Sequence, residues 1–335
     1  MKKMGMFLFY ILLLFVLCLG AYFLGSQKKQ QVQTSVFVSL KWLHQAQFAG
    51  LYVAKEKRYY QSEGIDTQFI PYDENADQIG MLESGKVAFA IMNPVELLKA
   101  IDNGFKGKAI AVIYETSPYS IVSLKSNTIA TPADFVGKTL GIKGNNTEAA
   151  VLYDTLLDEF NVDKTKVNFY SPGFETSVVE DLLSKKVDVI DAYRTDQVYL
   201  FEQQGVAYNL MSPELFGFQS YGDVLVTTNV MMEKNPSLVT RFVRSTLEGW
   251  KWALDNQAQT VDITMTYITN KQYQDKVYQQ FILSQSEPLI RSVKNKPIGP
   301  MNYLIWRKMS DALRRSGVIK KDFDARTAYT TEFLP

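Results

Sequence analysis

The stretch KWLHQAQFAGLYVAKEKRYYQSEGID, residues 41–66, decides the fold of this chain. It follows a short apolar strand pattern at residues 36–40. It places Trp42 and the only histidine, His44, in a turn, and continues as an amphipathic helix that Gly64 ends. Polar and aromatic side chains at the exit of a strand are typical of a site for a flat, polar small molecule. The stretch therefore predicts an α/β fold with a ligand site near its first turn.

The composition excludes several classes of function. The 335 residues carry a net charge of +1, so no basic surface for nucleic acid is predicted. The single cysteine, Cys18, lies in an apolar leader, and the rest of the chain has no thiol for a disulfide, a metal site or a nucleophile. One histidine is too few for a zinc site, and the sequence lacks a G-x-S-x-G turn. We therefore predict that the protein binds no metal and no cofactor. We also predict that it is not an enzyme.

Residues 1–25 are predicted to be a membrane anchor or a signal segment. Lys2 and Lys3 precede an apolar run of about twenty residues, which as a helix crosses a hydrocarbon core about 30 Å thick. The positive flank favours a body outside the cytoplasm, held at the cell membrane. A cleaved signal and lipid attachment at Cys18 stay open as alternatives, although the residues before Cys18 are not small. Residues 26–35 form a polar tether.

Strand and helix patterns alternate along the body, which predicts an α/β architecture. The pattern restarts once and then returns to mostly helical sequence. We interpret residues 36–118 as the first part of one lobe, residues 119–222 as a second lobe, and residues 223–335 as the return to the first lobe with the C-terminal helices. The chain would cross between the lobes near residues 115–121 and 221–228, and these two crossings would form a hinge.

Four side chains near predicted strand ends are candidates for the site. Trp42 either stacks on a ring, which adds ~0.5–1.5 kcal/mol beyond the burial of its area, or belongs to the core. His44 either bonds the edge of the ring or is a structural histidine. Gln45 offers both a donor and an acceptor. Asn93 precedes Pro94 as a helix cap, and the same position would present its side chain to a cleft.

A second group of candidates follows later strands. The turn Gly144-Asn145-Asn146 leads into a predicted helix whose first amides would hold a polar or anionic group, and a plain turn is the alternative. Glu148 either receives the amino hydrogens of a ring or complements the helix dipole. Tyr193, at the end of a strand, is a candidate for a second stacking face.

Three tyrosines lie at or near the predicted crossings between the lobes. They are Tyr114, Tyr119 and Tyr221. Each either contacts the ligand or packs the hinge.

The opening stretch contains a strand, a turn with tryptophan and glutamine, a helix with Gly50, Tyr52 and Ala54, and a second strand that starts at Ile65. This opening resembles the periplasmic substrate-binding proteins of the thiamine-pyrimidine family. That family includes formylaminopyrimidine-binding proteins of ABC importers and the yeast-type pyrimidine synthases. The resemblance continues through residues 82–88, 137–141, 187–193, 250–253 and 298–302.

The resemblance implies a two-lobed periplasmic-binding-protein fold of type II that closes over its ligand. It also implies a ligand contact at Asp196, which stands near a glutamate of the family. Two positions depart from the family pattern. The chain has Thr195-Asp196-Gln197 where the family often has Asn-Glu-Pro, and its Cys-free body cannot carry the cysteine-rich motif of the yeast-type synthases.

The resemblance and the leader together predict an extracytoplasmic solute-binding protein of an ABC importer. It would be a monomer that captures a pyrimidine-like small molecule between two lobes, delivers it to an ABC permease and contacts the membrane through its N-terminal helix. Two alternatives stay open: an input module that senses the ligand for a membrane signalling system, and a pyrimidine-forming enzyme. The sequence does not name the ligand, because a few substitutions in a cleft change specificity without changing the fold.

Overall fold

The computed structural model describes residues 33–70, 72–73, 75–142, 144, 146–171 and 178–335. Residues Ser35–Pro335 form one compact unit. The predicted anchor or signal segment, Cys18, the predicted tether up to residue 32 and Asn145 lie outside the described residues. Within the described ranges, none of the helices combines the length and the apolar character that crossing a membrane requires.

Ten strands in the described part of the chain form two five-stranded sheets. In chain order they are β1 (Thr34–Ser39), β2 (Ile65–Ile70), β3 (Phe89–Met92), β4 (Gly107–Val112), β5 (Tyr119–Leu124), β6 (Thr139–Gly141), β7 (Asn168–Tyr170), β8 (Val189–Tyr193), β9 (Tyr208–Met211) and β10 (Val224–Thr228). The first sheet has the order β2-β1-β3-β10-β4, and the second has the order β7-β6-β8-β5-β9. We call the parts of the body around these sheets the first and the second lobe.

The two sheets share one plan. Strand β10 lies antiparallel between β3 and β4, and β5 lies antiparallel between β8 and β9. The pairs β1–β3, β6–β7 and β6–β8 are parallel. The chain leaves the first sheet after β4 and returns to it as β10, so the structure has the predicted two α/β lobes. The carboxyl ends of the parallel strands carry the loops that form the site described below.

Helices cover the sheets and make most of the C-terminal part. The α-helices of the described residues are α1 (Ala49–Glu56), α2 (Tyr59–Ser62), α3 (Gln78–Glu83), α4 (Pro94–Asp102), α5 (Thr147–Glu159), α6 (Val178–Leu183), α7 (Val198–Gln203), α8 (Asn229–Lys234), α9 (Pro236–Asp255), α10 (Gln257–Met265), α11 (Lys276–Ile290) and α12 (Tyr303–Arg315). Short 3-10 helices lie at Ala46–Phe48, Pro132–Phe135, Lys164–Lys166, Pro213–Phe216, Lys271–Tyr273 and Ala325–Ala328.

The predicted helix that ends at Gly64 is two helices, α1 and α2. Arg58 separates them with a φ of 63°, in the left-handed region that interrupts a right-handed helix. Gly64 has a φ of 71° and ends the second helix, as the sequence predicts. The break is not visible in the apolar pattern, because the apolar residues keep helical spacing across it.

Close packing of α9 against α1 fixes the turn that precedes α1. A Cβ on Gly249 would lie 2.2 Å from the carbonyl oxygen of Gly50, and a Cβ on Gly50 would lie 2.2 Å from the Trp250 ring, so both positions need glycine. The backbone amide of Ala46 also donates to Gln279 Oε1 of α11 at 2.7 Å. The turn after β1 is therefore held by two helices from the C-terminal part of the chain.

The two crossings between the lobes run side by side and bond to each other. The amide of Ile113 donates to the carbonyl oxygen of Asp223 at 2.8 Å, and the amide of Ser117 donates to that of Ser220 at 2.9 Å. A paired connection of this kind can bend while it keeps the lobes in register. That the two crossings act as a hinge stays a prediction.

Candidate functional site

A cleft of about 450 Å³ lies between the two lobes, within the size range of small-molecule sites. On the first-lobe side it is lined by Lys41, Trp42, Gln45, Gln47, Tyr72, Gln78, Asn93, Glu96 and Lys99. On the second-lobe side it is lined by Tyr119, Asn146, Thr147, Glu148, Val178, Asp191, Tyr193, Thr195, Asp196 and Gln197. Most of these residues follow the carboxyl end of a strand or begin the next helix.

Each wall of the cleft carries a pair of aromatic rings. On the first-lobe wall the ring centroids of Trp42 and Tyr72 are 5.1 Å apart with the planes tilted by 32°. On the second-lobe wall Tyr119 and Tyr193 face each other across β5 and β8, with centroids 4.4 Å apart at 63°. Burial raises the pKa of both of these tyrosines well above the ordinary value, so both hydroxyls stay protonated and can donate. The two pairs offer flat apolar faces for a planar guest.

The polar side chains of the first-lobe wall form a chain of hydrogen bonds that ends at a buried carboxylate. Gln45 Nε2 donates to Gln47 Oε1 at 2.9 Å, and Gln47 Nε2 donates to Asp223 Oδ2 at 2.9 Å. Lys41 Nζ pairs with Asp223 Oδ1 at 2.5 Å. Burial alone lowers the pKa of Lys41, but the attraction of Asp223, helped by Glu148, raises it above the ordinary value. The ammonium of Lys41 therefore stays charged at neutral pH.

The N-terminus of α5 provides the polar part of the second-lobe wall. Asn146 Oδ1 accepts the amides of Glu148 at 3.1 Å and Ala149 at 3.3 Å, while its Nδ2 donates to the Tyr119 hydroxyl. The capping amide is thus oriented by the tyrosine as well as by the helix.

Glu148 is a buried acid of the cleft with a raised pKa. Its carboxylate accepts hydrogen bonds from Asn93 Nδ2 of the first lobe and from Ser117 Oγ at 3.2 Å. Burial raises its pKa to about 7, against the opposing effects of Lys41 and of these hydrogen bonds. Near neutral pH this group can therefore be present as an acid, which donates, or as a carboxylate, which only accepts.

Contacts at the rim of the cleft also join the lobes. The Tyr278 hydroxyl on α11 donates to the carboxylate of Asp196, and the Tyr278 ring stacks on Tyr199 of α7 at 4.9 Å. Lys99 Nζ of α4 donates to Thr147 Oγ1 at 3.3 Å. These contacts describe a cleft whose two sides touch.

Eight of the predicted site residues line this cleft. They are Trp42, Gln45, Asn93, Tyr119, Asn146, Glu148, Tyr193 and Asp196. The roles of these residues toward a ligand stay predictions, but the structure brings all eight side chains to one cavity.

Four other predicted residues lie away from the cleft lining. His44 bonds the Tyr52 hydroxyl at 2.8 Å, and burial lowers the pKa of its imidazole. Tyr114 donates to Ser286 Oγ at 2.9 Å, and Tyr221 accepts from the backbone amide of Asn302 at 2.6 Å; both tyrosines pack at the hinge. The Gly144 carbonyl accepts from Ser171 Oγ at 2.5 Å. Asn145 is outside the described residues.

Several lining residues were not predicted. Asp191 precedes the predicted Tyr193 by two positions on β8, and the two-residue period of a strand puts both on one face, so this residue could have been found. Lys41 directly follows the strand pattern that marks the turn and could have been found in the same way. Tyr72 has no comparable signal, because it belongs to an irregular loop after β2.

Metal chemistry has no visible basis in the residues that the structure describes. Among them, no group of three or more His, Cys, Asp and Glu side chains is arranged to hold a metal ion. The cleft can stack a ring against aromatic side chains and exchange hydrogen bonds with its edges.

A sequence profile described as "NMT1/THI5 like" matches residues 45–260, which is more than half of the chain. The chain belongs to the NMT1/THI5-like family. The predicted resemblance is thereby confirmed. The matched range begins at Gln45 and contains both crossings and the whole second lobe, so it covers most of the cleft.

Curated relatives of this NMT1/THI5-like chain include binding proteins and a synthase. The chain is 27% identical over 316 residues to the riboflavin-binding protein RibY of Chloroflexus aurantiacus, covering 91% of this chain and 88% of that one. It is 23% identical over 257 residues to the formylaminopyrimidine-binding protein of Halalkalibacterium halodurans, covering 76% and 77%. It is 20% identical to a 4-amino-5-hydroxymethyl-2-methylpyrimidine phosphate synthase of Legionella pneumophila, covering 91% and 93%.

Solved structures share the fold. The periplasmic aliphatic sulphonate binding protein SsuA of Escherichia coli matches with a TM-score of 0.70 at 12% identity, covering 88% of this chain and 92% of that one. At that identity the likeness establishes the two-lobed periplasmic-binding-protein fold and leaves the ligand to the chemistry of the cleft.

Proposed function

We propose that this protein is the extracytoplasmic solute-binding component of an ABC importer and that it captures a neutral, planar nitrogen heterocycle of the pyrimidine type. One observation carries the proposal: the cleft between the lobes has an aromatic pair on each wall and polar side chains between them. A flat ring fits between such faces, and closure around it removes its apolar surface from water. Closure of the lobes is also the change that a permease can recognise.

The charges of the cleft favour a neutral ligand over an anion. Among the described residues that line the cleft there is no arginine, and the two lysines are engaged with acids. Lys41 pairs with Asp223 at 2.5 Å, and Lys99 pairs with Glu96 at 3.0 Å. A sulfonate of the kind named for the E. coli structure would enter without an uncommitted cation to neutralise it. A ring with N–H groups would instead meet carboxylate and amide acceptors.

The names of two relatives point to the same chemical class. Riboflavin and formylaminopyrimidine, the ligands in those names, are both built on flat nitrogen-containing rings. The cleft of about 450 Å³ accepts the ring portion of either compound.

Isothermal titration calorimetry on the purified body tests the proposal. The probes are riboflavin, formylaminopyrimidine and butanesulfonate. We expect at least one heterocycle to bind with a dissociation constant in the micromolar range or below, and the sulfonate to bind far more weakly. Binding of the sulfonate alone, or of none of the three, would overturn the assigned ligand class.

We also propose that residues 1–25 hold the protein at the outer face of the membrane as a retained anchor. Lys2, Lys3 and the apolar run that follows support this, with cleavage and lipid attachment at Cys18 as the alternatives. Intact-mass measurement of membrane-extracted protein separates the three, because cleavage shortens the chain and acylation adds mass. Analytical ultracentrifugation of the body tests the proposed monomer.

An enzymatic role is the second candidate, since one relative is named a pyrimidine phosphate synthase. A synthase that uses a pyridoxal cofactor needs a lysine to carry it, and both lysines of the cleft are in ion pairs. Incubation with pyridoxal phosphate and a search for Schiff-base absorbance distinguishes this function from binding alone.

A further inference from the structure

The buried carboxylate of Asp223, at the second crossing, determines whether the first-lobe wall offers a hydrogen-bond donor or an acceptor to a ligand. Asp223 is only 1% exposed, and its backbone carbonyl is held by the amide of Ile113 at 2.8 Å. Its side chain bonds Lys41 and Gln47 and does not line the cleft. An ionised carboxylate accepts hydrogen bonds and never donates one. The carboxylate therefore fixes which end of each amide faces it, along the chain of hydrogen bonds from Asp223 through Gln47 to Gln45.

Each amide in this chain has one allowed orientation. Gln47 approaches both oxygens of Asp223, at 2.9 and 3.2 Å, so its NH2 group must face the carboxylate, because the opposite orientation would set oxygen against oxygen. Gln47 Oε1 then faces Gln45 and accepts from Gln45 Nε2 at 2.9 Å. The remaining polar atom of Gln45 is therefore an oxygen.

That oxygen is left without a partner. Gln45 lines the cleft and is 3% exposed, and its Oε1 has no hydrogen bond to any residue that the structure describes. A buried acceptor without a donor is costly, so a ligand that brings an N–H or O–H group to it gains a hydrogen bond that the empty protein lacks. A ligand that brings a second acceptor meets repulsion instead.

We propose that Asp223 is a positioning residue that sets the polarity of the site through Gln47 and Gln45, so that the first-lobe wall selects a ring edge that donates a hydrogen bond. The inference rests on the proposed function. It adds that the ligand is the donor, and Gln45 the acceptor, of this hydrogen bond. Lys41 belongs to the same arrangement, because its ammonium contacts Asp223 Oδ1 at 2.5 Å and can only donate to that oxygen.

Matched ligand pairs that differ only in one donor test the inference. The pairs are riboflavin with 3-methylriboflavin, and 4-amino-2-methylpyrimidine with its 4-dimethylamino analogue. For the wild type we expect the donor-bearing member of at least one pair to bind tenfold or more tightly, because a buried acceptor rejects an analogue that lacks the donor. The measured quantity is the ratio of the two dissociation constants.

Two variants test whether the ratio of dissociation constants depends on the chain from Asp223 through Gln47 to Gln45. Asp223→Asn lets the amides reverse, since asparagine can present either a donor or an acceptor, and Gln45→Met removes the amide at nearly the same length. We expect both to bring the ratio within about threefold of unity. Gln61→Met, at an exposed glutamine of α2, is the matched control and should keep the wild-type ratio. Thermal melts show whether each variant is folded. If Asp223→Asn is unfolded, the result for Gln45→Met alone tests the inference.

The outcomes separate this inference from the proposed function. A wild type that binds both members of each pair equally overturns the inference while the proposed function stands. A ratio that survives unchanged in Gln45→Met also overturns it, because steric exclusion of the methyl groups would then explain the preference. Failure of every heterocycle to bind overturns the proposed function and this inference with it.

Discussion

The two walls of the cleft hold their polar groups in different ways. On the first-lobe wall, Gln45 and Gln47 bond to each other and to Asp223. On the second-lobe wall, Glu148 and Asp196 accept hydrogen bonds from side chains that belong to the first lobe or its returning helix. The Gln45–Gln47–Asp223 chain of the first wall is therefore organised whether or not the lobes meet, whereas the bonds from Asn93 to Glu148 and from Tyr278 to Asp196 form only when they do.

The difference assigns the walls different tasks in binding. A preorganised wall adds affinity because little side-chain entropy is lost when the ligand arrives. A wall whose partners lie across the cleft couples its hydrogen bonds to closure, and so links ligand binding to the closed shape. Changes on the first wall should act on stability and intrinsic affinity, and changes on the second wall should act on pH dependence and closure.

The largest effect is expected at the inner end of the first wall. Lys41→Met leaves Asp223 as a buried carboxylate without its cation, and removing one partner of a buried ion pair costs roughly 4 kcal/mol. We expect the free energy of unfolding from urea titration to fall by that order. Lys99→Met is the matched control, because its pair with Glu96 is largely exposed and should change stability by about 0.5 kcal/mol or less. Equal losses in the two variants would contradict the organised first wall.

The second wall should instead show a dependence on pH through Glu148. Its pKa is about 7 in the folded protein and near 4.5 in the unfolded chain. Between these values the folded state keeps a proton that the unfolded state has lost, so this group's contribution to stability is present below pH 4.5 and is lost as the pH rises through 7. The loss amounts to about 3 kcal/mol.

Glu148→Gln removes this titration, since the amide carries no ionisable proton. Urea titrations from pH 4.5 to 8 should show wild-type stability falling relative to the variant over that window. Glu96→Gln, at an exposed acid of the same cleft, should run parallel to the wild type. If the Glu148→Gln and wild-type profiles are parallel as well, the carboxyl group is not perturbed as the structure indicates.

The sequence predicted the two-lobed fold, and it pointed to residues that the structure brings to one cleft. Patterns of apolar residues gave the two α/β lobes and the paired crossings, because each strand and helix carries its own period. Trp42, Asn146 and Tyr193 were predicted because they end a strand or begin a helix, which is information within a few neighbouring positions. The division of the body at residues 118/119 and 222/223 stays a prediction.

The partners of the site residues could not be predicted, because they are distant in sequence. Nothing local at Asp223 says that its carboxylate meets Lys41, or that Tyr278 reaches Asp196 across the cleft. The same limit applies to His44, for which the sequence left a ligand role and a structural role open. Its bond to Tyr52 shows instead that the turn folds this side chain back onto α1.

A smaller effect is expected from the aromatic face of the first wall. Trp42→Ala should weaken binding of the tightest heterocycle by more than tenfold, because both stacking and buried apolar area are lost. Trp252→Ala on α9 removes an indole that does not line the cleft and should leave the affinity unchanged. Calorimetry on the two variants gives the comparison. Unchanged affinity in Trp42→Ala would remove this ring from the site.

The smallest effect is expected from the rim contact that joins the walls. Tyr278→Phe keeps the ring stacked on Tyr199 and removes only the hydrogen bond to Asp196, which is worth about 1 kcal/mol. Because the bond exists only when the lobes touch, its loss should raise the open fraction and weaken the apparent affinity by roughly fivefold. Small-angle scattering of the ligand-free protein should show a larger radius of gyration.

Tyr208→Phe is the control for this variant, because that hydroxyl donates to Glu202 of α7 at 3.0 Å, within the second lobe. It should leave both the radius and the affinity as they are in the wild type. Trp42→Ala should differ from Tyr278→Phe, because it should weaken binding without changing the radius of gyration of the ligand-free protein. A Tyr278→Phe protein that binds less tightly without opening would show that the rim acts on the ligand directly, and the two walls would then differ less than their hydrogen bonds suggest.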